Sequence, residues 1–478
     1  MSRAANFLFI VACWVAIYLL ALGSLEIKGE EGRRILPAVT MIETGNYLVP
    51  QIGSDPYFRK PPLVNWLVAI SFQLTGHRNE WAARLPSALA VLAVAVAFIT
   101  TARTSLGANG SLAAALVWLT SFGIIEKGRL IEIEALYVSL LGLALICWIS
   151  AWYQRWSRWA TWLVPSIFLG LGLLAKGPVH LLFFYSVVVA VLYRERHLRT
   201  LIDLPHLLGI AMMLGIFAAW AVPYWHTMRG TDLAETWSVQ ILGRLGPSDF
   251  KVGSWLLNIP RGLAYFLPWT LLLPLVSRAR FEVERERNLF LGLLWGSALP
   301  FLLVNLLPSG LPRYSMPALP GAAWMMAMMM TRSDLRSPRW WPFLRLIMPR
   351  AGVTLVRRTA IVIVVAMVIY SAALVPLVLR GREKIRPIAA QIDALVPKSE
   401  TLYAVDPDYQ PFLFYTKSRL VYVDDLSQLP HDARYVLVQG DREQEVLDSK
   451  QWAPSRARSI LTLTDYRKRT VVLAKVEL

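Results

Sequence analysis

Long apolar runs separated by short charged loops constrain this chain more than any other feature. About eleven runs approach 20 residues, the length at which an α-helix crosses the hydrocarbon core of a bilayer. Such a helix pairs its backbone N–H and C=O groups within the segment, as hydrocarbon requires. The runs therefore predict a polytopic α-helical membrane protein. They fall at 6–25, 83–102, 109–126, 131–150, 160–175, 177–193, 206–225, 256–277, 288–307, 312–331 and 359–379.

The composition agrees with this fold class. Hydrophobic residues make up 56% of the chain and charged residues 17%, whereas soluble domains carry about 25% charged residues. The first run is too long for a signal peptide and lacks a small-residue cleavage site, so we expect it to remain as a membrane helix. Cys13 and Cys147 are the two cysteines, and both lie inside apolar runs. This placement argues against a disulfide framework and against a cysteine-based metal site.

The charges of the loops predict an orientation. The formal net charge is +17, and the excess lies beside the apolar runs, which indicates a membrane surface and not nucleic acid. The basic segments are Arg103, Arg155 with Arg158, 194–199, 278–287 and 332–358. All of them fall on one side if the N-terminus is cytoplasmic, in agreement with the positive-inside rule. The opposite, outer side then receives 26–82, 227–255, the turn near 308–312 and the C-terminal tail.

The chain changes character near residue 381. Residues 1–380 carry the apolar runs and predict a transmembrane domain with a first outer loop at 26–82. Within that loop, the apolar stretch 62–75 is short for a span and predicts an interfacial helix. Residues 381–478 contain the β-patterned runs "RLVYV", "YVLVQ" and "TVVLAKVEL" between turn-like segments, which predicts a small α/β domain on the outer side.

Polar residues are predicted to converge on the outer side. They are Glu30, Glu31, Arg33, Arg34, Tyr57, Lys60, Arg84, Glu126, Lys127, Arg129, Glu132, Glu134, Lys176, His180, Arg244, Arg313 and Tyr314. Singly, each has a structural explanation: a surface ion pair, a snorkelling lysine, an interfacial tyrosine or a packed histidine. Glu134, however, lies inside an apolar run, where an acid is costly and usually functional. A carboxylate base with several cations suits a reaction on a phosphate compound. No convincing metal-ligand spacing is present, so we predict chemistry without a metal or other cofactor.

The first outer loop resembles one family of membrane enzymes. The segment "GEEGRRILPAVTMIETGNYLVPQIGSDPYFRKPPLVNWLVA", followed by "EWAARLPSAL", is similar to the first loop of the lipid-linked-sugar glycosyltransferases, among them the bacterial aminoarabinose transferases and protein O-mannosyltransferases. The matching residues are Glu30, Glu31, Arg33, Met41, Gly45, Tyr47, Pro50, Tyr57, Lys60, Pro61, Pro62, Arg84 and Pro86. Weaker similarity continues through "LIEIEALYV", "LLAKGPV", "FLPWTLLLP" and "LPRYSMPALP", so that the resemblance covers about 25–335 and leaves out the tail.

This resemblance implies a fold and an activity. The fold is GT-C, with amphipathic helices along the outer face of a bacterial inner membrane. The activity is inverting transfer of a sugar from a polyprenyl-phosphate carrier to a lipid, such as lipid A, a glycan or a protein. The family's two acids, usually Asp, map onto Glu30 and Glu134, which the resemblance makes catalytic. The implied substrate-binding residues are Glu31, Arg33, Arg34, Tyr57, Lys60, Arg84, Lys176, Arg313 and Tyr314.

Two alternatives to an active transferase remain from the sequence. A transporter or flippase of lipid-linked sugars would show repeated halves and polar groups at mid-membrane, whereas the polar residues here are predicted at one face. A catalytically inactive relative is the second alternative, because both family acids are replaced by a residue one methylene longer.

Overall fold

The structure, a computed structural model, describes residues 3–52, 55–56, 60–228, 252–308, 310–335, 352–449, 457–465 and 468–477. The chain divides into two compact units. The membrane unit consists of Met1–Leu20, Arg59–Leu63 and Leu85–Tyr370. The loop–tail unit consists of Ala21–Phe58, Val64–Arg84 and Ser371–Leu478.

Helices dominate the described part of the chain. They are α1 (Arg3–Trp14), α2 (Gly32–Thr44), α3 (Leu63–Thr75), α4 (Glu80–Thr100), α5 (Arg103–Thr120), α6 (Phe122–Gly128), α7 (Ile133–Tyr153), α8 (Arg158–Ala175), α9 (Val179–Arg194), α10 (Leu204–Thr227), α11 (Val252–Leu256), α12 (Asn258–Ala264), α13 (Glu284–Leu306), α14 (Leu319–Thr331), α15 (Gly352–Ile369), α16 (Ile385–Leu395) and α17 (Glu443–Leu447). The strands are β1 (Gln51–Ile52), β2 (Asp55–Pro56), β3 (Ala279–Arg280), β4 (Asp334–Leu335), β5 (Thr401–Val405), β6 (Arg419–Val423), β7 (Tyr435–Gln439), β8 (Ala457–Thr464) and β9 (Thr470–Val476).

The membrane character of the chain is confirmed at a coarse level. Among the described residues, 6 helices are long and apolar enough to cross a bilayer, and up to 8 spans result if two bent helix pairs each count as one. The bent pairs are α5 with α6 and α12 with Trp269–Arg278. Other predicted spans correspond to shorter helices, such as Arg3–Leu19 and α9. The expected interfacial segment is helical as α3, and parts of the 227–255 and 332–358 loops lie outside the described residues.

Burial separates the centre of the membrane unit from its surface. In the most apolar 18-residue stretch of α7, 89% of the residues are buried. In the corresponding stretch of the helical segment Gly352–Arg382, which begins with α15, 6% are buried. A long apolar helix with so little protein contact is stable where hydrocarbon, and not water, surrounds it. We therefore assign α7 to the core of the bundle and Gly352–Arg382 to a lipid-facing position.

The tail contributes a five-stranded mixed sheet to the loop–tail unit. The strand order is β6-β5-β7-β9-β8, with β5 parallel to β6 and β7, and with β9 antiparallel to β7 and β8. The three β-patterned runs of the sequence correspond to β6, β7 and β9, while the sequence did not predict β5 and β8. Alternate side chains such as Val436, Val438 and Val472 are fully or nearly fully buried in one core.

The first loop folds together with the tail in this unit. Glu26, which is 7% exposed, accepts hydrogen bonds from the backbone N–H groups of Lys384, Ile385 and Arg386 at 2.9, 2.7 and 3.0 Å. These are donors of the first turn of α16, which has no preceding turn to satisfy them. A carboxylate from the loop therefore caps a helix of the tail, where the helix dipole also favours negative charge.

This cap gives a local stability prediction. Glu26→Ala removes the acceptor of three amides and is expected to destabilise the loop–tail unit by about 2 kcal/mol. Hydrogen exchange should show faster exchange at the amides of Lys384, Ile385 and Arg386 in this variant. Glu26→Gln keeps one acceptor oxygen and should give an intermediate rate. Parent-like exchange at all three amides in Glu26→Ala would contradict the capping role.

Candidate active site

A carboxylate held by two cations forms the centre of the polar site in the membrane unit. Glu134 is the second residue of α7 and its side chain is 9% exposed. Its Oε1 lies 3.1 Å from Lys176 Nζ and 3.3 Å from Arg313 Nε. Three of the predicted site residues therefore converge. The ammonium and guanidinium groups beside Glu134 are donors of the kind that bind an anionic ligand such as a phosphate.

The position of Glu134 refines the prediction from the sequence. The apolar run predicted the acid about a turn inside a span, whereas the structure places it in the first turn of α7. The unpaired N–H groups and the dipole at that end favour a carboxylate. An acid at this position is therefore less costly than one at mid-span, and its two cation partners offset the rest of the desolvation.

Aromatic side chains surround the Lys176 ammonium group. Its Nζ lies 5.1 Å from the centre of the Tyr314 ring and 5.3 Å from that of Tyr137, both within cation–π range. The Tyr137 hydroxyl donates to the Gly177 carbonyl at 3.1 Å and accepts from the His180 backbone N–H. Tyr137 thus fixes the turn that carries Lys176. Tyr137 could not be singled out from the sequence, since an aromatic residue inside an apolar run gives no signal.

His180 is a packed histidine. It is fully buried, and its Nδ1 and Nε2 lie 2.9 Å from the carbonyl oxygens of Gly177 and Leu169. A Cβ at Gly172 would lie 2.5 Å from Nε2, so the ring depends on that glycine for space. The structural explanation of His180 from the sequence is confirmed.

A second group of ion pairs lies between α6 and α7. Lys127 Nζ is 3.0 Å from Glu126 Oε1 and 2.9 Å from Glu132 Oε2, and Lys127 is 8% exposed. Arg129 donates to the backbone carbonyls of Ile17 and Leu20. Because these side chains form ion pairs and hydrogen bonds within the protein, the segment is not a freely solvated turn. Their contacts fix the connection that leads into Glu134.

In the loop–tail unit, Glu30 is the more accessible member of the acidic pair. Its side chain is 41% exposed, and both carboxylate oxygens accept from Arg33 Nη1 at 2.8 Å. Glu30 lies in the single turn Gly29–Glu31 that leads into α2. The ion pair orients the carboxylate of Glu30 and leaves part of it open to a ligand.

Glu31 has a buried partner instead. Its two oxygens accept from Nε and Nη2 of Arg84 at 2.9 and 3.0 Å, and both side chains are at most 3% exposed. The remaining N–H groups of Arg84 donate to the carbonyls of Leu22, Leu25 and Glu26. All five donors of the guanidinium are therefore used. This geometry favours a positioning role for Arg84 over the substrate contact expected from the resemblance.

A further network joins the loop to the tail. Glu80 Oε1 accepts from Arg386 Nη2 and, at 2.9 Å, from the Tyr415 hydroxyl, which in turn accepts from the Ile27 backbone N–H. Burial raises the pKa of Tyr415 well above its usual range, so the hydroxyl stays protonated and can donate. This network was not predicted from the sequence, because no local pattern connects Glu80 with residues more than 300 positions away.

Four other residues that were predicted to converge on the outer side have less defined surroundings. Arg34 is 6% exposed within α2, and its carbonyl accepts from Asn65 Nδ2 at 2.8 Å. Lys60 is half-buried in the membrane unit. Tyr57 lies outside the described residues, as does Arg244.

Known proteins resemble this chain in sequence and in fold. The family model described as dolichyl-phosphate-mannose-protein mannosyltransferase matches residues 59–225. Two curated relatives are each 26% identical to this chain, and both are named undecaprenyl phosphate-alpha-4-amino-4-deoxy-L-arabinose arabinosyl transferase 2. The match to the Pseudomonas fluorescens protein covers 67% of this chain and 58% of the relative. The match to the Proteus mirabilis protein covers 66% and 57%. The chain thus spans less than two thirds of the length of these relatives.

A solved structure shares the fold over nearly the whole chain. The crystal structure of ArnT from Cupriavidus metallidurans bound to undecaprenyl phosphate matches with a TM-score of 0.76 and 18% identity, covering 99% of this chain and 98% of that one. The resemblance to the lipid-linked-sugar glycosyltransferases and the GT-C membrane fold are both confirmed.

Proposed function

We propose that this chain, a relative of the lipid-linked-sugar glycosyltransferases, transfers a sugar from a polyprenyl-phosphate carrier to an acceptor in the bacterial inner membrane. The observation that carries the proposal is the Glu134 carboxylate with Lys176 and Arg313 beside it. The names of the curated relatives and the undecaprenyl phosphate bound to the ArnT structure support a polyprenyl carrier. Lipid A, a glycan and a protein are the candidate acceptors.

The reaction follows from the chemistry of a glycosyl phosphate. An acceptor oxygen attacks the anomeric carbon, and the bond between that carbon and the phosphate oxygen breaks, so that polyprenyl phosphate leaves with the electron pair. Glu30 takes the proton of an acceptor hydroxyl as general base. The leaving phosphate already carries negative charge and needs charge stabilisation more than a proton. Lys176, Arg313 and Lys60 supply it.

The other site residues have supporting roles in this proposal. Glu134 holds Lys176 and Arg313 in place, and Arg33 orients Glu30. Tyr314 and Tyr57 contact the sugar or the phosphate, and Glu31, Arg34 and Arg84 shape the first loop. The reaction requires no metal or other cofactor in this proposal.

The finer membrane arrangement is also proposed. Eleven spans, a cytoplasmic N-terminus and a periplasmic site agree with the apolar runs and with the arginine-rich loops. The domain boundary is placed at residues 380 and 381, with 381–478 as a periplasmic α/β domain. The sheet of β5 to β9 supports the α/β assignment.

The test measures polyprenyl-phosphate release by the purified protein. Undecaprenyl phosphate-linked aminoarabinose is the first donor and lipid A the first acceptor, followed by other polyprenyl-linked sugars. Lys176→Met is expected to release polyprenyl phosphate about 10²–10³-fold more slowly than the parent, as expected when one stabilising group of the transition state is lost. Lys398→Met removes an exposed lysine of the tail and should match the parent.

Each of the other outcomes would contradict a specific part of the proposal. Parent-like release by Lys176→Met would show that this lysine does not stabilise the leaving group. If the parent releases nothing from any donor, the transferase proposal fails. Movement of a labelled lipid-linked sugar across liposomes would then indicate a flippase, and its absence would indicate an inactive relative.

A further inference from the structure

A large cavity lies away from the proposed active site, at another set of helix ends in the membrane unit. Its volume is about 970 Å³. It lies where α7 and α9 end and where α8 and α13 begin. Nothing in the proposed transfer reaction uses it. Small-molecule sites commonly occupy about 300–1,000 Å³, so the cavity has room for a ligand larger than a simple ion.

The lining combines positive charge with aromatic surface. Five arginines line the cavity against two glutamates, and three tryptophans contribute to its walls. The arginines are Arg155, Arg158, Arg194, Arg196 and Arg285. A guanidinium fork matches the oxygen atoms of a phosphate, and tryptophan is enriched where apolar chains meet polar headgroups. The lining therefore fits a ligand that has a phosphate group and an apolar portion.

Some of these charges are fixed within the wall. Glu195 Oε2 accepts from Trp152 Nε1 at 2.7 Å, and Glu195 Oε1 lies 3.6 Å from Arg285 Nε. Arg285 also donates to the Trp152 carbonyl at 3.1 Å, and its Cζ lies 4.5 Å from the centre of the Tyr153 ring. These contacts make one side of the cavity rigid before any ligand binds.

Three other arginines are available to a ligand. Within the part of the chain that the structure describes, the side chains of Arg155, Arg194 and Arg196 form no ion pair. Arg155 and Arg196 also have positive φ angles, 56° and 60°, because each is the left-handed residue in the hydrogen-bonded turn that ends α7 or α9. Glycine or asparagine would adopt this conformation more easily. These helix ends hold both arginines at fixed backbone positions beside the cavity.

We propose that this cavity binds the phosphate headgroup of an anionic phospholipid. The loops that line it, 154–158, 194–200 and 283–285, belong to the basic segments that the positive-inside rule places at the cytoplasmic face. Anionic lipids are abundant in that leaflet, and basic pockets between membrane helices bind their headgroups. The proposal does not depend on the transferase activity.

Native mass spectrometry of the delipidated protein with added lipid tests the proposal. Phosphatidylglycerol is expected to bind, and phosphatidylcholine, which has no net charge, to bind much more weakly. Each arginine replaced by glutamine should weaken phosphatidylglycerol binding about fivefold, and the triple variant Arg155→Gln/Arg194→Gln/Arg196→Gln about 100-fold. The control is Arg199→Gln, which also removes one positive charge from the loop 194–200. Arg199 does not line the cavity, so this variant should bind lipid like the parent.

The remaining arms decide between sources of the phosphate group. Inorganic phosphate at millimolar concentration should not displace phosphatidylglycerol, and displacement would assign the cavity to a soluble phosphate compound instead. Equal phosphatidylglycerol binding by the parent, the triple variant and Arg199→Gln would overturn the proposal. If the triple variant does not fold, the single variants decide by the same criterion, and Arg194→Lys should retain more binding than Arg194→Gln.

Discussion

Replacement of Glu30 by glutamine is expected to slow polyprenyl-phosphate release by about 10²–10⁴-fold, the contribution that a general base makes. The amide matches the carboxylate in size but does not take the proton of the acceptor hydroxyl. Since Glu30 is partly exposed and paired with Arg33, its loss should change the free energy of unfolding by less than about 1 kcal/mol. The measurement is the rate of release at saturating acceptor.

Two controls separate chemistry from folding in this experiment. Glu30→Asp keeps the negative charge on a side chain one methylene shorter, so it should be far more active than Glu30→Gln. Glu43→Gln removes an exposed carboxylate from α2 and should match the parent. A parent-like rate in Glu30→Gln would exclude Glu30 as the base.

The largest loss of stability is expected from Arg84→Ala. The substitution removes the guanidinium that faces the buried Glu31 carboxylate, and it removes the donor from the carbonyls of Leu22, Leu25 and Glu26. Breaking a buried pair by removing one partner costs about 3–5 kcal/mol. Denaturant unfolding in detergent, followed by a signal from the loop–tail unit, measures the difference from the parent.

The same unit contains a matched control. Arg78 Nη1 lies 2.7 Å from Glu43 Oε1, but these side chains are 46% and 52% exposed. Arg78→Ala should therefore cost less than about 1 kcal/mol. The double variant Arg84→Ala/Glu31→Ala also removes the buried carboxylate that has lost its cation, and it should be more stable than Arg84→Ala alone. Similar losses in Arg84→Ala and Arg78→Ala would mean that burial does not determine the strength of these pairs.

Local patterns in the sequence were sufficient to predict many of the helices and strands of the fold. The lengths of the apolar runs predicted helices such as α7 and α13, because a membrane span requires a fixed length of apolar chain. The alternating runs predicted β6, β7 and β9 for a similar reason. The grouping of Glu134, Lys176 and Arg313 agreed with the expectation that their loops share one face of the membrane.

Contacts between distant segments were not predictable in the same way. Arg84 was expected to bind substrate, and only the three-dimensional structure shows that all its donors are used by residues 22–31. Glu80 and Glu26 gave no signal, since their partners Arg386 and Ile385 lie in a part of the tail that no local pattern links to them. A single sequence shows the periodicity of residue types along the chain, but it does not show which distant residues form hydrogen bonds with each other in the fold.

The cap that Glu26 places on α16 has a consequence for the order of synthesis. The ribosome makes Glu26 358 residues before Lys384, the first amide that it binds. At roughly 5–20 residues per second, the first loop waits on the order of 20–70 s for its partner. During that interval Glu26 lacks the amides of α16, and Glu80 lacks Arg386. The nascent loop therefore depends on residues 384–386 of the tail, and termination before them would release a chain whose first loop lacks these contacts.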